Sequence, residues 1–235
     1  MIAGRRVRND PAQYDELADQ WWEPAGDFAM LHWLAASRAE HIPPATRPDA
    51  VLVDLACGGG LMAPHAAALG YRHVGLDLNL LAVRAAADHG VLAVRASVLA
   101  VPLADGCADV VVAGEILEHV ADDVGVLAEC ARLLKPGGTL VIDAIAATLL
   151  ARLIAVELFE RIPNGAPPGI HDPALFVDRK RLLAAADRLG LDLRLVGIRP
   201  SVRDVVAWRR GRRQGVRMKP VPTSAVLFAG YGRKR

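Results

Sequence analysis

The 235-residue chain carries 28 Lys and Arg against 26 Asp and Glu, with 53% hydrophobic and 23% charged residues. That much apolar material offsets the ordering entropy of folding and excludes a disordered tail, while a net charge of +2 and a pI near 8.6 exclude a polyanion binder built from overall charge. Cys57, Cys107 and Cys130 show no CxxC spacing, which excludes a disulfide framework and a cysteine-based zinc site and predicts a reducing, cytoplasmic setting. The N-terminal stretch MIAGRRVRNDPAQY lacks the apolar core of a secretory signal.

In chain order, residues 11 to 42 predict two helices, with Asp27 as N-cap of the second and Pro43-Pro44 as its stop. From Ala50 the pattern changes to short runs rich in β-branched residues, VLVDLA, HVGLD, VLAVR, ADVVVAG and GTLVIDAIA. These alternate with Ala/Leu-rich amphipathic segments such as LLAVRAAADH and DVGVLAECARLL. The runs are almost continuously apolar, as parallel strands covered on both faces must be, and Pro136-Gly137-Gly138 punctuates the entry to the fifth. Then come an apolar helix over about 148 to 162, a Pro/Gly loop over 163 to 173, a helix over about 178 to 189, and strands near 191 to 199 and 224 to 231. The expected architecture is α/β: a doubly wound, mostly parallel, seven-stranded Rossmann-like sheet. One domain over 1–235 is expected, made of a helical preamble (1–45), a cofactor-binding core (46–146), an acceptor lid with helices (147–190) and C-terminal strands (191–235).

The run Val51 to Gly60, VLVDLACGGG, ends a strand and opens a helix, so its backbone can approach a ligand at the carboxyl edge of the sheet. A dinucleotide loop would read GxGxxG, but Ala56 and Leu61 occupy the first and third glycine positions, which disfavours NAD. Asp77 ends the second strand about 20 residues after the loop, placed to accept hydrogen bonds from both ribose hydroxyls of a nucleoside. Taken singly, Asp54 and Asp77 could equally be caps of helices or turns.

DLACGGG, GLD, ADVVVAGEILEHV and LLKPGGTLVI resemble the successive motifs of class I S-adenosylmethionine (SAM) dependent methyltransferases over about residues 50 to 145. WWEPAGDFAMLHWLAASR, CGGGL, EILEHV and GIHDPALF narrow the resemblance to the O-methyltransferases of ubiquinone biosynthesis. The resemblance implies SAM as cofactor, held by Arg38, Asp54, Ala56, Gly58, Gly60, Asp77, Leu78, Ser97, Val98 and Gly114, with Arg38 reaching its carboxylate. Two positions depart from the pattern: Ala56 replaces the usual glycine before the cysteine, and Ala96-Ser97-Val98 stands where an acidic residue often meets the adenine amine. Serine still offers a hydrogen bond there.

Methyl transfer from a sulfonium is an in-line displacement, so the acceptor must be aligned and deprotonated by a base or a metal. At helical spacing Glu115, Glu118 and His119 would share one face and hold Mg²⁺ or Zn²⁺ against a catechol-like oxygen. The alternative is that Glu118-His119 stabilises the turn and lines the pocket. His171, oriented by Asp172 in a lid loop, is a candidate base beside His119 and Glu115; a solvated loop histidine is the plain alternative. Trp21, Trp22 and Phe28 are expected to wall an aromatic acceptor or to pack the preamble on the sheet.

The expected activity is O-methylation of a small phenolic, catechol-like or quinol acceptor, with tailoring of another small metabolite as the alternative within the same chemistry. Nucleic acid, suggested by Arg199, Arg203, Arg209, Arg210, Arg212, Arg213, Arg217 and Lys219, is set aside as a partner because no DPPY-type motif accompanies the cluster. A non-catalytic SAM-binding protein is a third class. Leu149, Leu150, Leu153, Ile154 and Leu158, with Arg152 and Arg161, form a helix face suited either to peripheral docking on a lipid surface or to packing on the sheet.

Overall fold

The computed structural model describes residues 7–162 and 165–235; the start of the polar N-terminal stretch and the first two residues of the Pro/Gly loop lie outside them. Five strands in the first part of the chain, β1 (Val51–Leu55), β2 (Arg72–Asp77), β3 (Leu92–Arg95), β4 (Ala108–Gly114) and β5 (Leu134–Ile145), are parallel to one another. They match the five apolar runs. β5 starts earlier than expected, at Leu134, and runs through Pro136-Gly137-Gly138 as an irregular lead-in whose register against β4 shifts between Ala108 and Val110. β6 (Leu191–Pro200), β7 (Met218–Val221) and β8 (Leu227–Lys234) complete a sheet of order β3-β2-β1-β4-β5-β8-β6-β7, in which β8 runs antiparallel to β5 and β6, and β7 antiparallel to β6.

The sheet therefore has eight strands rather than seven. The additional strand, β7, and the helix before it, α8 (Val202–Arg209), fall in the arginine-rich stretch, where charge masks the element pattern. Both are held by partners far along the chain or across the turn: Trp208 packs edge-on against Trp33 at 5.1 Å, and Arg217 pairs with the buried Asp204 at 2.8 Å.

Helices α3 (Ala63–Ala68), α4 (Leu80–Asp88), α5 (Asp123–Leu133) and α7 (Arg179–Arg188) cover the sheet. Three of them start at side-chain caps: Asn79 accepts the Ala82 N–H, Asp122 the Gly125 N–H, and Asp178 the Lys180 and Arg181 N–H groups. The preamble forms α1 (Ala12–Glu16), a 3₁₀ turn and α2 (Ala29–Ala39). Phe28 rather than Asp27 occupies the N-cap of α2; its ring is drawn into the core and has no atom to accept a capping bond.

After β5 the chain forms one α-turn, α6 (Leu149–Ala151), capped by the Thr148 hydroxyl, then a π-helical stretch Arg152–Leu158 and a 3₁₀ turn Phe159–Arg161. Ala151, Ala155 and Val156 pack inward with Ile198, Val216, Met218 and Leu227. Leu149, Leu150, Leu153 and Leu158 face outward at 85%, 46%, 59% and 52% exposure and Ile154 is half-buried, so the expected apolar face lies on the solvent side and a different side of the segment packs on the core. Among the described residues no helix is long and apolar enough to cross a membrane.

The winding reverses between β1 and β4, which are adjacent in the sheet but not in the chain. At such a switch point the loops leaving the carboxyl ends diverge and open a crevice. The glycine turn after β1, Asp77 at the end of β2 and Glu115–His119 after β4 all lie at that edge.

Candidate functional site

The glycine turn is built on left-handed backbone. Ala56, Gly58 and Gly60 have φ of 57°, 52° and 82°, and the Cys57 N–H bonds to Leu76 O at 3.0 Å, tying the turn to β2. The alanine accepts a conformation that costs an L-residue about 1–2 kcal/mol. Gly58 and Gly59 are required by a close approach: a Cβ there would lie 2.6 and 2.5 Å from atoms of the Trp21 ring system. Asp54, two residues before Ala56, is buried and faces His73 Nε2 of β2 at 3.3 Å.

Asp77 accepts the Gly58 N–H through Oδ2 at 2.9 Å and the Asn79 N–H through Oδ1 at 2.8 Å. Burial raises its carboxyl above the usual range against the opposing effect of these two bonds. Beside it Leu78 is 61% exposed, Val98 is buried, and the Ser97 hydroxyl accepts the Leu99 N–H at 3.2 Å, so the rim expected to meet adenine is formed as a short serine turn.

Arg38 is buried and lies across Gly114, where a Cβ would stand 2.6 Å from Nη2. Its Nε and Nη2 donate to Asp143 at 2.6 and 3.1 Å, and Asp143 also accepts the Glu115 N–H at 2.8 Å. Asp143 thus joins the preamble helix, β5 and the turn after β4. A carboxylate inside the apolar run LVIDAIA was the available sequence signal for it.

Glu115 takes φ of 51° and Leu117–His119 form a 3₁₀ turn, so the expected α-helical spacing does not exist. Glu118 is fully buried and spends Oε1 on the Ile145 N–H at 3.1 Å. His119 turns to Asn9, whose Oδ1 is 2.6 Å from Nδ1. Among the described residues no group of three His, Cys, Asp or Glu side chains is gathered to hold an ion. The expected Glu115, Glu118 and His119 triad is therefore not gathered as one group: Glu118 is held by the Ile145 N–H and His119 turns to Asn9, while the Glu118 carboxyl stays near enough to Glu115 to raise it. Two buried oxygens, Glu115 Oε1 and Glu118 Oε2, lack hydrogen-bond partners, and carboxylate oxygens suit hard divalent cations. Burial is the main cause raising both carboxyls, Glu118 to about 8.

His119 and His171 meet as stacked rings with centroids 5.6 Å apart. Burial, with the nearby His171, pushes the His119 imidazole down to about 3, so it is neutral at physiological pH. His171 is buried, yet Asp172 does not orient it; Asp172 caps the next turn by accepting the Ala174 N–H. Glu160 stands there instead, with Oε1 3.4 Å from His171 Nδ1, a close contact without the alignment of a hydrogen bond. Burial would raise the Glu160 carboxyl, but His171, the Gly169 N–H and Arg8 outweigh it and hold it low. Arg8 also donates to His171 O at 2.7 Å.

Residues 8 to 28 lie over this edge as a strap. Trp21 stacks on Phe28 at 4.3 Å and Trp22 donates through Nε1 to Gly59 O at 2.9 Å, so the tryptophans pack on the glycine turn. Tyr14 stands edge-on to His119 at 6.5 Å. Its phenol is raised by burial and by the charges of Glu118, Asp77 and Glu115. Arg8, Asn9, Tyr14 and Glu160 were missed by sequence reasoning. Only Glu160, an acid within an apolar helix, gave a signal there.

A methyltransferase domain family matches residues 53–142, from β1 into β5. The ubiquinone biosynthesis O-methyltransferase of Ralstonia nicotianae is 36% identical over 195 residues, covering 78% of this chain and 82% of its own. That of Caulobacter vibrioides is 33% identical, covering 74% and 77%. A SAM-dependent methyltransferase from Thermotoga maritima superposes with TM-score 0.65 at 17% identity, covering 95% of this chain and 97% of that one. The methyltransferase solved in complex with the Haloferax volcanii Trm112 activator gives 0.65 at 21% identity, covering 97% of each chain. These two share the fold. With strand order, glycine turn and long-range identity in agreement, the chain belongs to the ubiquinone biosynthesis O-methyltransferase family and is a SAM-dependent methyltransferase.

Proposed function

We propose that the protein methylates a hydroxyl of a small phenolic, catechol-like or quinol acceptor, with His119 and His171 as the groups that receive its proton. The negative charge developing on the acceptor oxygen offsets the burial that holds His119 low in the free protein. The observation that carries this reading is the pair of stacked imidazoles, 5.6 Å apart, at the sheet edge that also holds Asp77 and the glycine turn. SAM would lie along Ala56–Gly60 with its ribose on Asp77 and its adenine by Leu78, Ser97 and Val98. The acceptor oxygen, its proton passed to an imidazole nitrogen, attacks the methyl carbon as the carbon–sulfur bond breaks, leaving an ether and S-adenosylhomocysteine. Arg38 acts in this reading through Asp143, which fixes the turn carrying Glu115, and the whole chain serves as one catalytic unit.

The exposed leucines support a peripheral lipid contact and hence an acceptor with an apolar tail. Ala151, Ala155 and Val156 of the same segment share a hydrophobic cluster with Val205 and Trp208 of α8, and α8 adds the exposed Val202 and Val206. Arg203, Arg209, Arg210, Arg212 and Arg213, on and just after α8, are exposed and carry charge suited to anionic headgroups.

The deciding experiment is a methylation screen of catechols, phenols and quinols, with and without EDTA. Ether formation with one of these classes is the expected result; turnover only of amines, thiols or nucleic acid would overturn the acceptor assignment. Turnover that survives EDTA leaves deprotonation with the imidazoles. Turnover lost to EDTA and restored by Mg²⁺ or Zn²⁺ assigns it to a cation, for which Glu115 Oε1 and Glu118 Oε2 are the unpartnered donors.

A further inference from the structure

We propose that Asn9 is a positioning residue that sets the tautomer of His119, keeping the proton on Nδ1 and the lone pair on Nε2. The inference rests on the reading above that His119 receives the acceptor's proton.

Two contacts fix it. Asn9 Nδ2 donates to the His119 backbone carbonyl at 2.9 Å, and Asn9 Oδ1 stands 2.6 Å from His119 Nδ1. A carbonyl can only accept, so the first contact determines which end of the amide is NH₂ and leaves the oxygen facing the ring. An amide oxygen can only accept as well, so Nδ1 must be the donor, and a neutral imidazole with Nδ1–H has its basic nitrogen at Nε2. The ring that presents this nitrogen is flanked by His171 and by the edge of Tyr14.

The backbone suits asparagine to the task. Asn9 has φ of 57°, a left-handed conformation in which asparagine is enriched, and its own N–H bonds to Gly169 O at 2.9 Å in the lid loop. The amide is thus anchored to the loop that carries His171 while its side chain grips His119 by ring and carbonyl together. Arg8, one residue earlier, holds Glu160 and the His171 carbonyl, so the two histidines are set from the same short segment.

The test uses the full-length protein with ¹⁵N-labelled histidine, read by long-range ¹H–¹⁵N NMR, alongside kinetics with catechol and SAM. Wild type should show His119 as Nδ1–H. Asn9→Gly keeps the left-handed backbone and removes the amide; it should shift His119 toward Nε2–H and lower kcat about tenfold, the rate equivalent of one hydrogen bond, with the KM for SAM unchanged. Asn9→Asp keeps an oxygen for Nδ1–H but loses the donor to the His119 carbonyl, so it should restore the Nδ1–H form and only part of kcat. A wild-type His119 found as Nε2–H overturns the proposal, as does an Asn9→Gly protein that loses kcat with its tautomer unchanged, since that loss would be structural. Undiminished turnover in His119→Gln overturns the base reading itself, a failure distinct from a wrong tautomer in wild type.

Discussion

Replacing Asp77 with alanine removes a carboxylate that already accepts Gly58 N–H at 2.9 Å and Asn79 N–H at 2.8 Å, one on each oxygen. Each oxygen keeps a second lone pair, and the two together can take both hydroxyls of a ribose. Two charge-assisted bonds of about 1.5–3 kcal/mol each amount to roughly 3–6 kcal/mol, or roughly 10²- to 10⁴-fold in Kd. Loss of the Gly58 bond loosens the glycine turn, which stays tied to β2 by the Cys57–Leu76 bond; the loosening adds an ordering cost to binding and moves the expected value away from the lower limit. Asp77→Asn keeps one acceptor oxygen but turns an NH₂ group toward a backbone N–H, so its affinity should fall between wild type and alanine. The assay is calorimetric titration of the purified protein with S-adenosylhomocysteine, with melting temperature as the check on folding. An alanine variant that melts like wild type and binds within threefold of it would refute the assignment of Asp77 to the ribose.

Gly114→Ala would place a methyl group 2.6 Å from Arg38 Nη2 and force the guanidinium off Asp143, which is 1% exposed. Stranding that charge should cost about 3–5 kcal/mol in urea unfolding, and a loss below about 1 kcal/mol would mean that the pair relocates intact. Glu118, raised to about 8, favours the folded state fully below the unfolded carboxyl value and loses that contribution as pH rises through 8. Glu118→Gln keeps an oxygen for Ile145 N–H without an ionisable group, so it should raise the melting temperature relative to wild type at about pH 8.5 but not at about pH 5; an equal effect at both would refute the titration. Leu150→Glu with Leu153→Glu changes two exposed residues and should abolish co-sedimentation with anionic phosphatidylglycerol vesicles without lowering the melting temperature. Undiminished binding by the double variant would remove this face from the lipid contact.

The parallel half of the sheet was legible because its strands are buried on both faces, which leaves unbroken apolar runs punctuated by glycine turns. The glycine turn and its bond to Asp77 were legible for a related reason: Gly58, Gly60 and Asp77 meet through local backbone geometry that their spacing encodes. By contrast β7 and α8 were hidden in an arginine-rich stretch whose stability comes from the Arg217–Asp204 pair and from Trp208 on Trp33. Periodicity also misled at Glu115, where a left-handed φ of 51° ends the helical phase on which the metal triad depended.

The acceptor edge is assembled from contacts with no local signature. Asn9 grips His119 across 110 residues and Arg8 holds Glu160 across 152. Sequence reasoning found both histidines but assigned the wrong carboxylate to His171, because Asp172 is its neighbour in the chain and Glu160 is its neighbour in space. This separation has a functional consequence. The groups expected to bind SAM are fixed by the turn after β1 and the end of β2, whereas those around the histidines come from residues 8–14 and 160–176. Substitutions in these two segments can therefore alter which hydroxyl is presented to the methyl group while the Asp77–Gly58 bond stays intact. The acceptor class should shift through changes in the strap and lid, with affinity for S-adenosylhomocysteine as the quantity that stays constant.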